Sequence, residues 1–126
     1  MLVRPEIKVV EWLNCQPRTS IWTTSVSVFE IRSGLETMPL GKNRAHKVDA
    51  FERFLANAIE QRIAVFDGAS AENAAQVFAE RQRNGRSGEL RDTMIAGIVL
   101  ANQAKLATRN IKHFEDLGNA VVNPWE

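Results

Sequence analysis

The sequence predicts one α/β domain in which a parallel sheet lies between two layers of helices. Short apolar segments with β-branched residues alternate along the chain with longer segments of helical periodicity, and this alternation is typical of parallel sheets. Residues 63–66 are continuously apolar, as in strands that are covered on both faces. The 126 residues suffice for a single domain, residues 1–126, with a buried core. These observations predict a three-layer α/β/α architecture.

The predicted elements alternate between helices and strands in chain order. Helices are predicted at residues 5–16, 27–36 and 42–62, from Asp67 or Ser70 to Asn84, and from about Asp92 to 101, with a helical turn at 111–117 that Gly118 ends. Strands are predicted at residues 20–24, 63–66 and 120–122, and one buried strand is predicted to stop at 108–110.

Local signals define these elements. Pro5 suits a first helical turn and Pro17 ends that helix. Ser27-Val28-Phe29-Glu30 has the form of a capping box, in which the glutamate bonds the N–H of the cap residue. A wide apolar stripe predicts the inward face of the helix at 42–62, through Ala45, Val48, Phe51, Phe54, Leu55, Ala58 and Ile59. The next helix is predicted to bury Ala71, Ala74, Ala75 and Phe78.

Composition excludes several classes of protein. The net charge of +1 gives no global affinity for nucleic acid, so any attraction for phosphate must be local. The single cysteine, Cys15, excludes an internal disulfide and a thiolate zinc cage. The longest apolar run is far shorter than the ~20 residues of a membrane span, and no signal peptide is evident, so we expect a cytoplasmic protein. Metal chemistry would depend on carboxylates, which favour Mg²⁺ or Mn²⁺.

Polar residues gather where a strand ends and the next helix begins. Asp92 opens an otherwise apolar helical face, and Thr108-Arg109-Asn110 follows a predicted strand. Functional groups in open α/β sheets collect at such positions. Each residue also has a structural interpretation: Asp92 could stabilise the helix dipole, Glu30 could serve the capping box, and Asn110 could be a turn residue.

Six basic residues bracket Asp92 in the sequence. They suit a polyanionic substrate, although basic residues at helix ends are commonly just solvated. The six are Arg81, Arg83, Arg86, Arg91, Arg109 and Lys112. His113 is predicted to lie on the surface beside a buried Phe114.

Several blocks, in order, resemble PIN-domain proteins. They are RDTMIAGIVLA at 91–101, LATRNIKHFEDLG at 106–118 and VVNPW at 121–125, with TSVSVFEI at 24–31 and the first helix through Leu13. The chain resembles in particular the VapC/FitB-like toxins of bacterial toxin–antitoxin pairs. This resemblance covers essentially the whole chain.

The resemblance implies an endoribonuclease that uses Mg²⁺ or Mn²⁺. By position, Glu30 and Asp92 would be the metal-binding acids, and Asn110 would stand where the family has aspartate or a polar substitute. Arg91, Thr108 and Arg109 would contact the RNA substrate. The resemblance also implies a cognate antitoxin as partner and a homodimer. A bound ion that activates water is the natural mechanism for such residues.

One feature departs from the family's pattern. A first strand there precedes the first helix and ends in an aspartate that binds the metal, whereas no aspartate occurs here before Asp49. We therefore expect this strand and its carboxylate to be missing, with weaker metal binding as a result. Glu89 or Glu6 could replace part of the charge. One interpretation is that the coding region begins upstream of Met1.

A protein of another class remains open as an alternative. A degenerate PIN-domain protein would bind an antitoxin without cleaving RNA, and the helix at 42–62 is a candidate surface for it, although core packing is its more common use. A structure-specific DNA nuclease is a weaker third possibility.

Overall fold

The computed structural model describes residues 21–86, 88–108 and 111–122. The predicted helix at 5–16 therefore lies outside the described residues, as do Glu6, Arg109 and Asn110. The strands are β1 (Thr23–Thr24), β2 (Ile63–Ala64), β3 (Leu106–Ala107) and β4 (Val121–Val122). The helices are α1 (Ser25–Glu36), α2 (Lys42–Arg53), α3 (Gly68–Arg83) and α4 (Leu90–Ala101), with a π-helical segment at Phe54–Ala58 and a 3₁₀ segment at Ile111–Ala120.

The strands form two parallel ladders. Thr23 pairs with Ile63 and Thr24 with Ala64 in one ladder, while β3 pairs with β4 in the other. Parallel pairing and all four strand positions were predicted and are confirmed. The strands are shorter than predicted, and the expected burial at β3 is only partial, because Leu106 is half-buried and Ala107 is exposed.

Helix α1 begins earlier than the capping-box pattern predicts. Its N-cap is Thr24, whose Oγ1 accepts a hydrogen bond from the Ser27 N–H at 3.0 Å. The predicted cap at Ser27 is therefore wrong, because strand β1 ends directly at Thr24 and the chain turns into the helix there. Glu30 consequently lies inside the helix and is not the acid of a capping box.

Helix α2 and the π-helical segment bury one apolar edge against α1. Phe51, Leu55 and Ile59 are almost fully buried, and Phe51 and Leu55 form a cluster with Leu35 of α1. Two residues of the predicted stripe, Ala45 and Ala58, are exposed instead. This apolar edge serves the core of the protein, as the more common interpretation of the stripe predicted.

Helix α3 begins at the predicted cap but presents a different face from the predicted one. Asp67 is the N-cap, and its side chain accepts a hydrogen bond from the Ser70 N–H at 2.9 Å. The buried residues are Ser70, Ala74, Val77 and Arg81. Ala71, Ala75 and Phe78 are exposed, so the prediction is correct only for Ala74. The small residues Ser70 and Ala74 face inward because α4 approaches them closely.

Helix α4 is the central element of the core. Its residues 95–99 are all buried, and they pack with side chains from β2, β3 and β4. A Cβ atom on Gly97 would lie 2.4 Å from the Ser70 carbonyl oxygen, so only glycine permits this contact with α3. No helix in the described ranges is long and apolar enough to cross a membrane. The fold thereby holds the start of α4 in a set position relative to α1 and α3.

Candidate active site

Asp92 lies in the first turn of α4, as predicted. Its side chain is 16% exposed, and its Oδ2 lies 2.8 Å from Nδ1 of His113. Thr93 beside it is buried, so Asp92 stands at the border between the core and solvent. The position suits a carboxylate that stabilises the helix dipole as well as one that binds a ligand. Both interpretations of Asp92 remain predictions.

Glu30 of α1 reaches the same end of α4. Its Oε2 lies 3.9 Å from Nη1 of Arg91, the residue that precedes Asp92. The two acids are 62 positions apart in sequence, yet the folding of α1 against α4 brings Glu30 beside the first turn of α4. Glu30 therefore contacts the side chain of a residue in the first turn of α4, the turn that also contains Asp92, while the roles of both acids stay predictions.

Arg91 lies between two glutamates. Its Nη2 is 2.7 Å from Oε1 of Glu89, in addition to the longer contact with Glu30. Arg91 is 45% exposed, and exposed ion pairs of this kind contribute at most about 1 kcal/mol. A phosphate could therefore replace these partners at little cost. Glu89 is the acid that the sequence offered as a partial replacement for the missing aspartate, and its carboxylate forms an ion pair with Arg91.

The residues after β3 are described only in part. Thr108 is half-buried and directly follows the strand, at the carboxyl end where the prediction placed it. Arg109 and Asn110 lie outside the described residues, so their predicted roles stay predictions.

Arg81 is buried, so the interpretation of the six basic residues as solvated does not hold for it. Only 4% of its surface is exposed, and it donates to both carboxylate oxygens of Asp116, at 2.6 and 2.9 Å. It also donates to the His113 carbonyl and to Thr93 Oγ1. This pair could not be predicted from local sequence patterns, because Asp116 is 35 positions away.

This ion pair fixes the 3₁₀ segment on α3 and α4. The Arg81 guanidinium hydrogen-bonds to Asp116 and holds the pKa of that carboxyl below its usual value. The same hydrogen bond raises the pKa of Arg81. Because Arg81 also binds the carbonyl of His113, the pair places the imidazole beside Asp92. His113 is exposed as predicted, but its contact with Asp92 was missed, since the two residues are 21 positions apart.

A pocket of about 130 Å³ lies against Asp92 and His113. Its other walls include Arg81, Arg86 and Lys112. Three of the six basic residues that the sequence placed around Asp92 therefore line one cavity. The pocket is small and strongly charged, which suits part of an ionic ligand better than an apolar one.

The donor set fits a hydrated hard cation. Within residues 21–86, 88–108 and 111–122, no three histidine, cysteine, aspartate or glutamate side chains form a group that could hold a metal ion. Glu30 and Asp92 are nevertheless two carboxylates near the same helix start, and Mg²⁺ commonly binds through one or two carboxylates while it keeps several waters. A site of this kind would be weaker than a three-acid site.

Comparison with known proteins places the chain in a family. Residues 3–119 match the PIN domain family. The plasmid stability protein StbB of Pseudomonas syringae pv. tomato is 32% identical over 97% of this chain and 88% of its own length. The VapC ribonuclease Y4jK of Sinorhizobium fredii is 30% identical over 97% of this chain and 87% of its own length.

A third relative has a solved structure. Toxin FitB of Neisseria gonorrhoeae is 26% identical over 97% of this chain and 88% of its own length. The crystal structure of FitAcB from the same organism superposes with a TM-score of 0.86, covering 98% of this chain and 88% of that one at 26% identity. The three-layer α/β/α prediction is thereby confirmed. This chain belongs to the PIN-domain family, and its relatives there include a VapC ribonuclease and the toxin FitB.

Proposed function

We propose that this protein is the VapC-like toxin of a toxin–antitoxin system and that it is a Mg²⁺- or Mn²⁺-dependent endoribonuclease. The observation that carries the proposal is the position of Glu30 beside Arg91 at the start of α4, next to Asp92. The names of the VapC ribonuclease and FitB relatives support the activity and the toxin role.

Glu30 and Asp92 would hold the cation. When bound, the ion would lower the pKa of a water and neutralise charge that builds on the phosphate. Asp92 would contribute a carboxylate oxygen to the cation, and the contact of its Oδ2 with His113 at 2.8 Å would keep the carboxylate oriented. Arg91 would leave its glutamate partners to bind a phosphate oxygen of the RNA. Thr108, Arg109 and the catalytic Asn110 would complete the site at the end of β3.

Removal of either acid tests these roles. We expect Asp92→Asn and Glu30→Gln each to lower RNA cleavage at least about 100-fold, because a metal ion supplies several kcal/mol of transition-state stabilisation and 1.36 kcal/mol corresponds to tenfold. Each variant should also weaken Mg²⁺ and Mn²⁺ binding, measured by calorimetry. Glu72→Gln is the control, since Glu72 is an exposed acid on α3 away from the site.

The opposite result would refute the assignment. Cleavage of RNA that needs Mg²⁺ and persists unchanged in both acid variants would show that other residues bind the ion. Cleavage of DNA in preference to RNA, compared at one salt concentration, would change the substrate class.

The proposed partners are the RNA substrate, a cognate antitoxin and a second copy of this chain in a homodimer, acting in the cytoplasm. The apolar edge of α2 is used in the core, so an antitoxin would bind elsewhere or only to the exposed side of this helix. Co-expression with the product of the neighbouring gene, followed by chromatography, tests for the complex.

A degenerate PIN-domain protein that binds an antitoxin without cleaving RNA is the second candidate. It is favoured by the contacts of both acids with basic side chains, Glu30 with Arg91 and Asp92 with His113. A stable complex with the neighbouring gene product, with no RNA cleavage in Mg²⁺ or Mn²⁺, would select this function.

A further inference from the structure

Two cations in the pocket beside Asp92, Arg86 and Lys112, form no direct ion pair with a carboxylate among the described residues, although the charge of Arg86 also helps to lower the pKa of Asp116. Arg81 is neutralised by Asp116, and His113 contacts Asp92. Arg86 and Lys112 line the same pocket, and so do the acids Glu89 and Asp92. The chain as a whole is nearly neutral, and Glu89 in the pocket wall is paired with Arg91, so the placement of Arg86 and Lys112 is a property of the pocket and not of the composition.

Arg86 is held in place by hydrogen bonds to backbone carbonyl oxygens and not by a direct ion pair. Its Nη2 donates to the carbonyl oxygen of Lys112 at 3.0 Å, and its own N–H donates to the carbonyl of Arg81 at 2.8 Å. The side chain is half-buried, so less conformational entropy is lost when it binds a ligand. Because Arg86 bonds the backbone of Lys112, the two cations are neighbours across the gap between the end of α3 and the 3₁₀ segment.

Gly88 and Phe78 extend this pocket in one direction. A Cβ atom on Gly88 would lie 2.9 Å from Nη1 of Arg81, which has little freedom to move because Asp116 holds it. A second cavity of about 260 Å³ shares Arg81, Arg86 and Gly88 with the first and has Phe78 in its wall. The ring of Phe78 is 48% exposed. Two adjoining cavities, which share Arg86 in their walls, thus lie between Asp92 and the exposed Phe78.

We propose that Arg86 and Lys112 form a subsite for a backbone phosphate of single-stranded RNA, adjacent to the phosphate at Asp92, with Phe78 available to stack on a base farther along. The substrate class rests on the proposed function. Arginine binds phosphate with a planar fork and lysine as a point charge, and aromatic rings that follow a basic groove are typical of single-strand binding. Arg86 and Lys112 would act in positioning the strand.

Equilibrium binding of a short fluorescent single-stranded RNA in EDTA tests this subsite without any need for cleavage. For single strands, log K falls with log salt by ~0.7 for each neutralised phosphate. Extrapolated to about 0.1 M salt, this corresponds to about fivefold in affinity for each phosphate that is no longer neutralised. We expect the double variant Arg86→Gln/Lys112→Gln to lose about fivefold in affinity, with the salt slope smaller by about 0.7, and Lys112→Gln to lose part of this affinity.

Matched variants exclude a general charge effect and a folding defect. Arg83→Gln removes the same charge near the end of α3, outside both cavities, and should change affinity by less than about twofold. Lys112→Arg keeps the charge and should retain the affinity of the parent. Lys112 is exposed, so Lys112→Gln should fold normally even if Arg86→Gln does not.

The outcomes separate this inference from the proposed function. Loss of affinity at Arg86 and Lys112 but not at Arg83 supports the subsite, even if the parent protein never cleaves RNA in Mg²⁺. Equal affinity and equal salt slope for the double variant and Arg83→Gln would overturn it, even if the parent is an active ribonuclease. Failure of the parent to bind single-stranded RNA would overturn it as well.

Discussion

Substitution of Gly97 by alanine should destabilise the protein, because α3 and α4 approach each other most closely at this residue. The added Cβ would lie 2.4 Å from the Ser70 carbonyl oxygen and 2.9 Å from the Ala74 nitrogen, both of which belong to the backbone of α3. Overpacking costs about 1–3 kcal/mol, and the upper end applies because a helix must move. Alanine recovers about 1 kcal/mol of helix propensity. The net expected loss is about 2 kcal/mol.

Gly34→Ala is the matched control within another helix. A Cβ atom at Gly34 would meet nothing within 4 Å, so only the gain in helix propensity applies and the protein should become about 1 kcal/mol more stable. Urea and thermal unfolding followed by circular dichroism measure both variants. At about 4 °C per kcal/mol, Gly97→Ala should lower Tm by about 8 °C and Gly34→Ala should raise it by about 4 °C.

Whether Gly97→Ala lowers or raises the stability of the protein tests the close contact between α3 and α4. A Gly97→Ala protein that is as stable as the parent, or more stable, would show that α3 and α4 do not touch at Ser70 and Ala74. The buried face assigned to α3 would then be wrong too.

Two further predictions concern the ion pair that holds the 3₁₀ segment. Arg81→Met should lower the free energy of unfolding by about 3 kcal/mol, which is the low end for breaking a buried ion pair because Asp116 keeps some solvent contact. Arg83→Met is the control and should change the free energy of unfolding by less than about 0.5 kcal/mol. Equal effects of the two substitutions in urea unfolding would contradict the burial of Arg81. The pKa of Asp116 is lowered in the folded state, so its ionised carboxylate stabilises the folded protein. This stabilisation is fully present above the pKa of the unfolded state, about 3.9, and is lost as the pH falls through the pKa of the folded state. Unfolding measured from neutral to acidic pH should therefore show less loss of stability below about pH 4 in Asp116→Asn than in the parent, and parallel curves would exclude this carboxyl as the cause.

Elements governed by neighbouring residues could be predicted from the sequence. Asp67 caps α3 and Asp92 falls in the first turn of α4, as expected, because helix starts are chosen by hydrogen bonds within a few residues. Phe51 and Leu55 are buried as their spacing predicted. The resemblance to PIN-domain proteins was visible for the same reason, since its blocks are contiguous segments.

Choices between two similar local patterns could not be made from the sequence. Thr24 and Ser27 can each cap a helix. Strand β1 pairs with a strand forty residues away and ends at Thr24, so the helix begins there and Thr24 is its cap. The face of α3 is another case, because Arg81 is polar in any local pattern and is buried only through Asp116.

The sequence by itself determined the alternation of helices and strands, two candidate caps for α3, the place of Asp92 in the first turn of α4, and the acids available for chemistry. The tertiary structure alone decided which of these groups meet: Glu30 with Arg91, Asp92 with His113, and Arg86 with the backbone of Lys112. The physical reason is the distance along the chain over which each interaction acts. Periodicity and capping act over one or two helical turns, whereas a pocket of opposed charges forms only when packing of a core helix brings distant segments together.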